Sequence, residues 1–265
     1  MGVAARPSRW ACGGVDPCRG ADRLREDCRG PRQARGLTEN GLAGWREAVR
    51  PYLAGLALPV VDVGSGAGQF AALFPSWFGV QVVGVEPSAA MRAEAVANTS
   101  DARVTHPRRC PTSAAGGPER RGRLISTVIH HIPNLLAAAA EIRRVLTPGA
   151  PVLIRSAFPG RTGGVSLFRF FPEAAKVVET FPSIEQVEQD FGAAGFRLER
   201  VEPVVQVPVQ SLREFRTRVA LRADTTLRGI TDEAFAAGLA RLDTAILGGE
   251  AEGPVIDLLD LVVLR

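Results

Sequence analysis

A run of alternating glycines directly after a short apolar segment is the feature that most constrains the fold of this chain. Residues 60–63 are three valines and one acid, Asp62, and Gly64-Ser65-Gly66-Ala67-Gly68 follows. An apolar segment of this kind is typical of a parallel strand buried on both faces. Glycines just after such a strand let the backbone approach a ligand that a Cβ atom would exclude. Ligands of open α/β sheets bind at the carboxyl ends of the strands, so we expect a binding site at residues 64–68.

Apolar strand-like segments alternate with helical segments along the rest of the chain. The predicted later strands are 81–85, 124–126, 151–154, 198–207 and 255–264, and helices are expected from Leu37 to Leu53, from Phe70 to Phe74, after Ser88, from Leu135 to Leu146, and after Ser183, Ser211 and Thr231. This order predicts an α/β fold with a Rossmann-like, doubly wound and mostly parallel sheet. We expect seven strands with the last one antiparallel, and a helical insertion at about 209–249 before that strand.

The basic charge of the chain is confined to two short segments. The net charge is +4, but residues 1–36 hold eight Arg against four acids and residues 104–123 hold five Arg against one acid. The remaining residues carry 19 basic and 23 acidic side chains, so a positively charged, phosphate-tracking face is not expected and nucleic-acid binding is excluded. Residues 1–36 also lack apolar periodicity, which predicts a poorly ordered segment ahead of a domain at 37–265.

Other classes of protein are excluded by simple features. The four cysteines (Cys12, Cys18, Cys28 and Cys110) show no Cys-x-x-Cys spacing and there are three His, so no metal site is expected. No apolar run approaches the roughly 18–20 residues that span a bilayer, and the N-terminus lacks the apolar stretch of a secretory signal. These features predict a cytoplasmic protein without a membrane span.

An acidic residue, Glu86, stands at the end of the second predicted strand, 22 residues after Gly64. A carboxylate there can accept both hydroxyl hydrogens of a ribose, as in nucleotide-binding α/β folds. A dinucleotide fingerprint needs a third glycine five residues after the first, where this chain has Gln69. A different nucleotide is therefore favoured, with an NAD-type oxidoreductase as a less favoured alternative. The structural alternative is a tight turn beside a solvated Glu.

The pattern Asp-x-Gly-x-Gly-x-Gly over residues 62–68 resembles motif I of class I S-adenosylmethionine-dependent methyltransferases. Three further segments are similar to the second motif, to the segment after the fourth strand, and to the helix and turn before the fifth strand: Glu86-Pro87-Ser88-x-x-Met91, Ser126-Thr127-x-x-His130-His131-x-Pro133 and Glu141-Ile142-Arg143-Arg144-Val145-Leu146-x-Pro148-Gly149. The likeness covers roughly residues 37–200 and is closest to the ubiquinone and menaquinone biosynthesis methyltransferases.

The resemblance implies S-adenosyl-L-methionine as cofactor and a small molecule as methyl acceptor. It implies that the loop Gly64, Ser65, Gly66, Ala67 and Gly68 holds the amino acid moiety of the cofactor, that Asp62 faces its ammonium, that Glu86 with Pro87 binds the ribose, and that Ser126 and Thr127 lie beside the methionine portion. The acceptor itself is not identified by these motifs.

The chain departs from the family pattern after the third strand. The family carries Gly-Asp-Ala there, its Asp contacting the adenine, whereas this chain has Arg108-Arg109-Cys110. Arg-Arg-Cys can be encoded by codons that read Gly-Asp-Ala when the frame is shifted by one base. We therefore hypothesise that residues 106–123 are translated out of frame. The alternative is a genuine variant with a basic loop. If the adenine contact is lost, the chain could be a catalytically impaired binding protein (a pseudoenzyme).

His131 and His130 are the candidate catalytic residues. Either could remove a proton from the acceptor if methyl transfer requires it. Their alternative role is packing or capping near the helix that begins after Asn134. Walls of the acceptor pocket are expected from the loop between Phe158 and Phe171 and from the inserted helices. Phe168, Phe170 and Phe171 belong either to that pocket or to the core.

Overall fold

A computed structural model describes residues 36–107, 123–126, 129–250 and 252–265, with only the backbone placed at 123–126. Its strands form one seven-stranded sheet in the order β3-β2-β1-β4-β5-β7-β6. They are β1 (Val60–Val63), β2 (Val82–Val85), β3 (Val104–Thr105), β4 (Arg123–Ser126), β5 (Val152–Ser156), β6 (Leu198–Val209) and β7 (Val255–Leu264). Neighbouring strands from β1 to β5 pair in parallel, and β7 runs antiparallel to both β5 and β6. The predicted α/β sheet with a parallel body is therefore present.

Helices cover both faces of this sheet. They are α1 (Ala43–Leu53), α2 (Gln69–Phe78), α3 (Ala89–Asn98), α4 (Leu135–Val145), α5 (Ser166–Phe170), α6 (Pro172–Val178), α7 (Ile184–Ala193), α8 (Leu212–Val219), α9 (Thr225–Arg228) and α10 (Asp232–Ala245). Trp45 of α1 and Phe74 of α2 pack with one set of strand side chains, and Ile142 of α4 and Phe191 of α7 pack with the other set. Successive strand residues point to opposite faces, so each strand contributes to both cores.

Side-chain caps fix where the main helices begin. Ser88, Asn134, Ser183, Ser211 and Thr231 each accept a hydrogen bond from the backbone N–H three residues later. Each cap satisfies one of the backbone donors that a helix leaves unpaired at its start. These five starts agree with the sequence prediction because capping is a local signal.

Helices from two parts of the chain form a third layer at the carboxyl edge of the sheet. We call this layer the cap: α5 and α6 after β5, and α8, α9 and α10 between β6 and β7. Its core contains Phe170, Phe171, Leu227 and Leu242, all 4% exposed or less. Gly238 of α10 lies so close to Phe171 that an added Cβ would be 2.1 Å from that ring. The cap therefore has a tightly packed core of its own.

Three predicted features need correction. The loop expected between Phe158 and Phe171 contains α5, and its Phe170 and Phe171 belong to the cap core rather than to a pocket wall. The first helix begins at Ala43, not at Leu37, because a 3-10 turn at Asn40–Leu42 precedes it. Helix α2 continues past Phe74 to Phe78, since Pro75 in its interior does not end it.

Some predictions lie outside the described residues. They are the poorly ordered segment, apart from residue 36, and the frame-slip hypothesis, apart from His106, Pro107 and the backbone of Arg123. In the described part of the chain, no helix is long and apolar enough to cross a membrane.

Candidate active site

The glycine loop lies where the first two strands end. Gly64, Gly66 and Gly68 have φ values of 69°, 55° and 83°, the left-handed region that glycine adopts without strain. The Gly64 N–H donates to the Val85 carbonyl at the end of β2, at 2.7 Å. A Cβ on Gly68 would lie 3.0 Å from the Cβ of Ala95, so α2 and α3 pack closely at this point. Conformation and packing both require glycine at position 68.

Glu86 joins this loop to the second strand. Its Oε2 accepts from the Gly66 N–H at 3.0 Å and its Oε1 from the Ser88 N–H at 2.8 Å. The residue is 9% exposed, so the interpretation as a solvated side chain is wrong. Each carboxylate oxygen can accept a further hydrogen bond. The exposed Pro87 lies beside it, and its carbonyl accepts from Arg92 Nη1 at 3.0 Å.

Asp62 is the second acid at this junction. It is 3% exposed, and no described residue donates a hydrogen bond to its carboxylate. Burial, followed by the negative charge of Glu86, raises the pKa of Asp62 to about 7. A buried carboxylate without donors is costly unless a cation approaches it. This acid borders the cavity described below and so suits the positively charged end of a ligand.

The two remaining loop residues, Ala67 and Ser65, differ in their hydrogen bonds. The Ala67 carbonyl accepts from Asn98 Nδ2 at 3.0 Å, whereas the buried Ser65 Oγ has no hydrogen-bond partner among the described residues.

Ser126 ends β4, where its backbone is paired in register with Val63 and Ile154. Thr127 lies outside the described residues.

The two candidate catalytic histidines occupy the 3-10 turn Ile129–His131 after β4. Their ring centroids are 4.0 Å apart, and the ring of His130 stacks on Phe181 at 4.3 Å. Burial, and to a lesser degree the neighbouring His131, lower the pKa of His130 to about 4. His130 is therefore neutral near pH 7, and its packing against Phe181 is evident. Both histidines border the cavity.

A cavity of about 840 Å³ extends from the glycine loop to the underside of the cap. One end of the cavity is bordered by Asp62, the loop Gly64 to Gly68 and Met91. Glu86 is not part of the cavity wall, but its carboxylate accepts a hydrogen bond from the N–H of Gly66, which is. Leu167, Phe168 and Phe181 line the cap side together with Phe215, Val219 and Leu227. Of the three Phe predicted for a pocket or the core, Phe168 alone borders the cavity. The cavity volume of about 840 Å³ is typical of a site for a small ligand.

Sequence reasoning missed a polar cluster at the sheet side of this cavity. Arg155 of β5, Gln206 of β6 and Asp257 of β7 all border it, and Gln206 accepts from both Arg155 Nη2 and Trp45 Nε1. An Arg directly after the buried apolar residues Val152 to Ile154 was the available signal. The role of Arg155 in this cluster depends on Gln206 and Asp257, which lie on strands far away along the chain.

His106 occupies the position after the third strand. Its ring covers Gly84, where an added Cβ would be 2.4 Å from Nδ1. Both ring nitrogens are buried without a hydrogen-bond partner among the described residues, and burial lowers the pKa of this His. The segment 108–122, which carries the departure from the family pattern, lies outside the described residues.

Comparisons with known proteins agree with this architecture. A family model of a methyltransferase domain matches residues 39–201. No curated protein matches the chain in sequence. Among solved structures, a candidate methyltransferase from an antibiotic biosynthesis pathway of Anabaena variabilis is similar with a TM-score of 0.65 and 16% identity, over 83% of this chain and 96% of that one.

Two further similar structures contain bound ligands. An S-adenosyl-L-methionine-dependent methyltransferase of Geobacter sulfurreducens, in complex with S-adenosyl-L-homocysteine, has a TM-score of 0.52 and 17% identity over 91% of this chain and 96% of that one. A phosphoethanolamine N-methyltransferase of Haemonchus contortus, in complex with phosphomonomethylethanolamine and S-adenosylhomocysteine, has a TM-score of 0.50 and 21% identity over 84% of this chain and 52% of that one. At these identities the likeness establishes the fold.

Proposed function

The chain belongs to the methyltransferase domain family and is an S-adenosyl-L-methionine-dependent methyltransferase, and we propose that it methylates a small molecule held in the cavity beneath the cap. The observation that carries this proposal is the position of the glycine loop. It lies at one end of a cavity that also has an apolar wall and a separate polar cluster. One cavity can thus hold two reactants side by side.

We assign the cofactor to the loop end of the cavity. Asp62 suits the ammonium group because its carboxylate is buried, receives no hydrogen bond from the described residues and borders the cavity. Glu86 suits the ribose hydroxyls because each oxygen retains acceptor capacity beyond its bond to a backbone N–H. Gly64, Gly66 and Gly68 suit the amino acid moiety because the loop has no side chain at these positions. Ser126 and Thr127 remain assigned to the methionine portion by resemblance.

The proposed reaction is an in-line displacement. S-adenosyl-L-methionine supplies an activated methyl group on a sulfonium. The residues of this chain mainly orient the two reactants and exclude water, and orientation of this kind can contribute roughly 7–11 kcal/mol. The apolar cap side chains, such as Phe168 and Phe215, suit that task because they border the cavity.

His131 is the proposed base where the acceptor must lose a proton. His130 is less suited, since its ring is stacked on Phe181 and its pKa is lowered to about 4. A general base contributes about 10²- to 10⁴-fold. We therefore expect His131→Asn to lower turnover of a hydroxyl acceptor within that range and His130→Asn to lower mainly the melting temperature. Equal turnover of wild type and His131→Asn would remove the base role.

Two finer interpretations depend on resemblance alone. Placement near the ubiquinone and menaquinone biosynthesis methyltransferases stays a prediction, since the matches do not single out that branch. The alternative of a catalytically impaired binding protein finds no support in the family match, and the NAD-type oxidoreductase is disfavoured by it.

Calorimetry with two ligands tests the proposed function. Titration of the full chain with S-adenosyl-L-homocysteine should show saturable binding, and titration with NAD should show none. Binding of NAD in place of S-adenosyl-L-homocysteine would favour the oxidoreductase. Absence of both would contradict the proposed cofactor site.

A further inference from the structure

Arg155 is a cation at the inner wall of the cavity. It follows three β5 residues, Val152 to Ile154, that are 1% exposed or less, and is itself partly buried. Its guanidinium carbon lies 5.1 Å from the ring centroid of Trp45 and 5.6 Å from that of Phe70. These rings hold the side chain against the sheet without neutralising its charge.

The charge of Arg155 has no ion-pair partner among the described residues. Its Nη2 donates to the neutral Gln206, and its buried Nε has no hydrogen-bond partner in the part of the chain that the structure describes. Burial lowers the pKa of Arg155 to about 10, so the group is still charged near pH 7. Buried charges are normally paired, because desolvation of a lone ion is costly.

The nearest acid on the sheet does not provide that pairing. Asp257 attracts Arg155 electrostatically, but its Oδ1 accepts from the Ser166 N–H at 2.8 Å and it makes no salt bridge with Arg155. The same strand shows what a paired acid looks like. Asp260 receives two hydrogen bonds from Arg161, at 2.7 and 2.8 Å. Among the described residues Arg155 has no such pair, although it is less exposed than Arg161.

We propose that the methyl acceptor carries a terminal oxyanion, a carboxylate or a phosphate, that binds the guanidinium of Arg155. This inference depends on the proposed function. The cap side chains Leu167, Phe168 and Phe215 give the same cavity an apolar wall, so the acceptor combines an apolar body with that anionic end. Arg218 also borders the cavity, but its Nη1 donates to the Gly36 and Pro208 carbonyls, and Asp224 and Asp257 on the same wall offset its charge.

The strand that carries Arg155 and the position of its hydrogen-bond partner favour the acceptor over the carboxylate of the cofactor as the source of this anion. In the sheet, β4 separates β5 from β1. A spacing of about 4.7–4.9 Å per strand therefore places the backbone of β5 about 10 Å from that of β1, although the Arg155 guanidinium itself reaches Phe70, two residues after the glycine loop. Gln206, its hydrogen-bond partner, lies on β6, still farther from that loop.

The test titrates the full chain, saturated with S-adenosyl-L-homocysteine, with hexanoate, hexyl phosphate and the neutral hexan-1-ol. At least one anionic probe should bind about tenfold or more tightly than the alcohol, and comparison of the two anions identifies the oxyanion. Arg155→Met keeps the apolar stem and should abolish this preference while leaving the affinity for S-adenosyl-L-homocysteine within about threefold. Arg143→Met is the matched control, because Arg143 also lies over an aromatic ring, that of Phe196 at 5.0 Å, but does not border the cavity.

Several outcomes would overturn the inference. If wild type binds the anions and the alcohol with equal affinity, the inference is wrong. This comparison needs no variant, so it remains decisive if Arg155→Met does not fold. Loss of S-adenosyl-L-homocysteine affinity in Arg155→Met would assign the cation to the cofactor instead. Failure of wild type to bind S-adenosyl-L-homocysteine would contradict the proposed function itself, and the inference with it.

Discussion

At the scale of single residues, two buried acids with different surroundings define the proposed cofactor end. Both carboxylate oxygens of Glu86 accept backbone N–H groups, so the charge is stabilised in the free protein. Asp62 has no such donors in the described part of the chain, and burial raises its pKa to about 7. Glu86 therefore organises the loop before a ligand arrives, whereas a bound cation would offset the burial that disfavours the anion of Asp62.

Asp62→Asn should separate stability from binding. The raised pKa means that the ionised carboxyl destabilises the native state increasingly as pH rises from the ordinary Asp value of about 4 towards 7. At pH 8 the variant should thus melt at least about 2–4 °C higher than wild type, the shift expected for 1 kcal/mol in a domain of similar size. Its affinity for S-adenosyl-L-homocysteine should fall. Thermal melts and calorimetry measure the two effects, and a lower melting temperature together with unchanged affinity would contradict this assignment.

The affinity for S-adenosyl-L-homocysteine should also depend on pH through Asp62. Below about pH 7 the free carboxyl is protonated and must lose its proton to pair with an ammonium, so binding should weaken as pH falls from 8 to 6. Calorimetry at several pH values measures this slope. The slope should disappear in Asp62→Asn, and an unchanged slope there would assign the titration to another group.

At the scale of elements, local signals were predictable and non-local ones were not. The glycine loop and the five helix caps depend on residues within a few positions of one another, so the sequence indicates them directly. Helices α5 and α6 are too short to show a helical period, and their apolar side chains are buried because α8, α9 and α10 pack on them. Arg155 was missed for a similar reason, since its partner Gln206 is 51 residues away.

Gly68→Ala tests the junction between the loop and α2. Gly79 ends the same helix with a φ of 73°, and no atom of the described residues lies within 4 Å of an added Cβ, so Gly79→Ala is a matched control. In both variants the free energy of unfolding should fall by roughly 1–2 kcal/mol, because alanine is strained in the left-handed conformation. Only Gly68→Ala adds the contact with Ala95 and should weaken S-adenosyl-L-homocysteine binding. Equal binding of the two variants would show that the geometry at position 68 is not needed for the cofactor.

At the scale of the whole molecule, the sheet forms one wall of a cavity and the cap forms the other. The predicted α/β fold was accessible from the alternation of strands and helices. The cap was not fully accessible, because it combines helices from before β6 and after β6 around Phe171 and Leu227. The cavity between these layers is where the two proposed ligands meet.

The separate core of the cap should be visible in native-state amide exchange. The amides of α8 and α10 should exchange together through an opening that requires less free energy than opening of β5 and β7, because the cap core is smaller than the two sheet cores combined. Exchange at low denaturant concentrations measures these free energies. Identical values for the cap and the central strands would show a single cooperative unit instead.

The nucleoside cofactor is proposed to bind where Glu86 joins the glycine loop. Side-by-side calorimetry of wild type, Glu86→Ala and the exposed control Glu188→Ala with S-adenosyl-L-homocysteine measures whether Glu86 contributes to this binding. Hydrogen bonds to a charged acceptor contribute about 1.5–3 kcal/mol each, so Glu86→Ala should raise the dissociation constant roughly tenfold to hundredfold. Its melting temperature should fall modestly, since Gly66 and Ser88 lose an acceptor, and the control should match wild type. Equal affinities for all three proteins, with measurable wild-type binding, would remove Glu86 from the site.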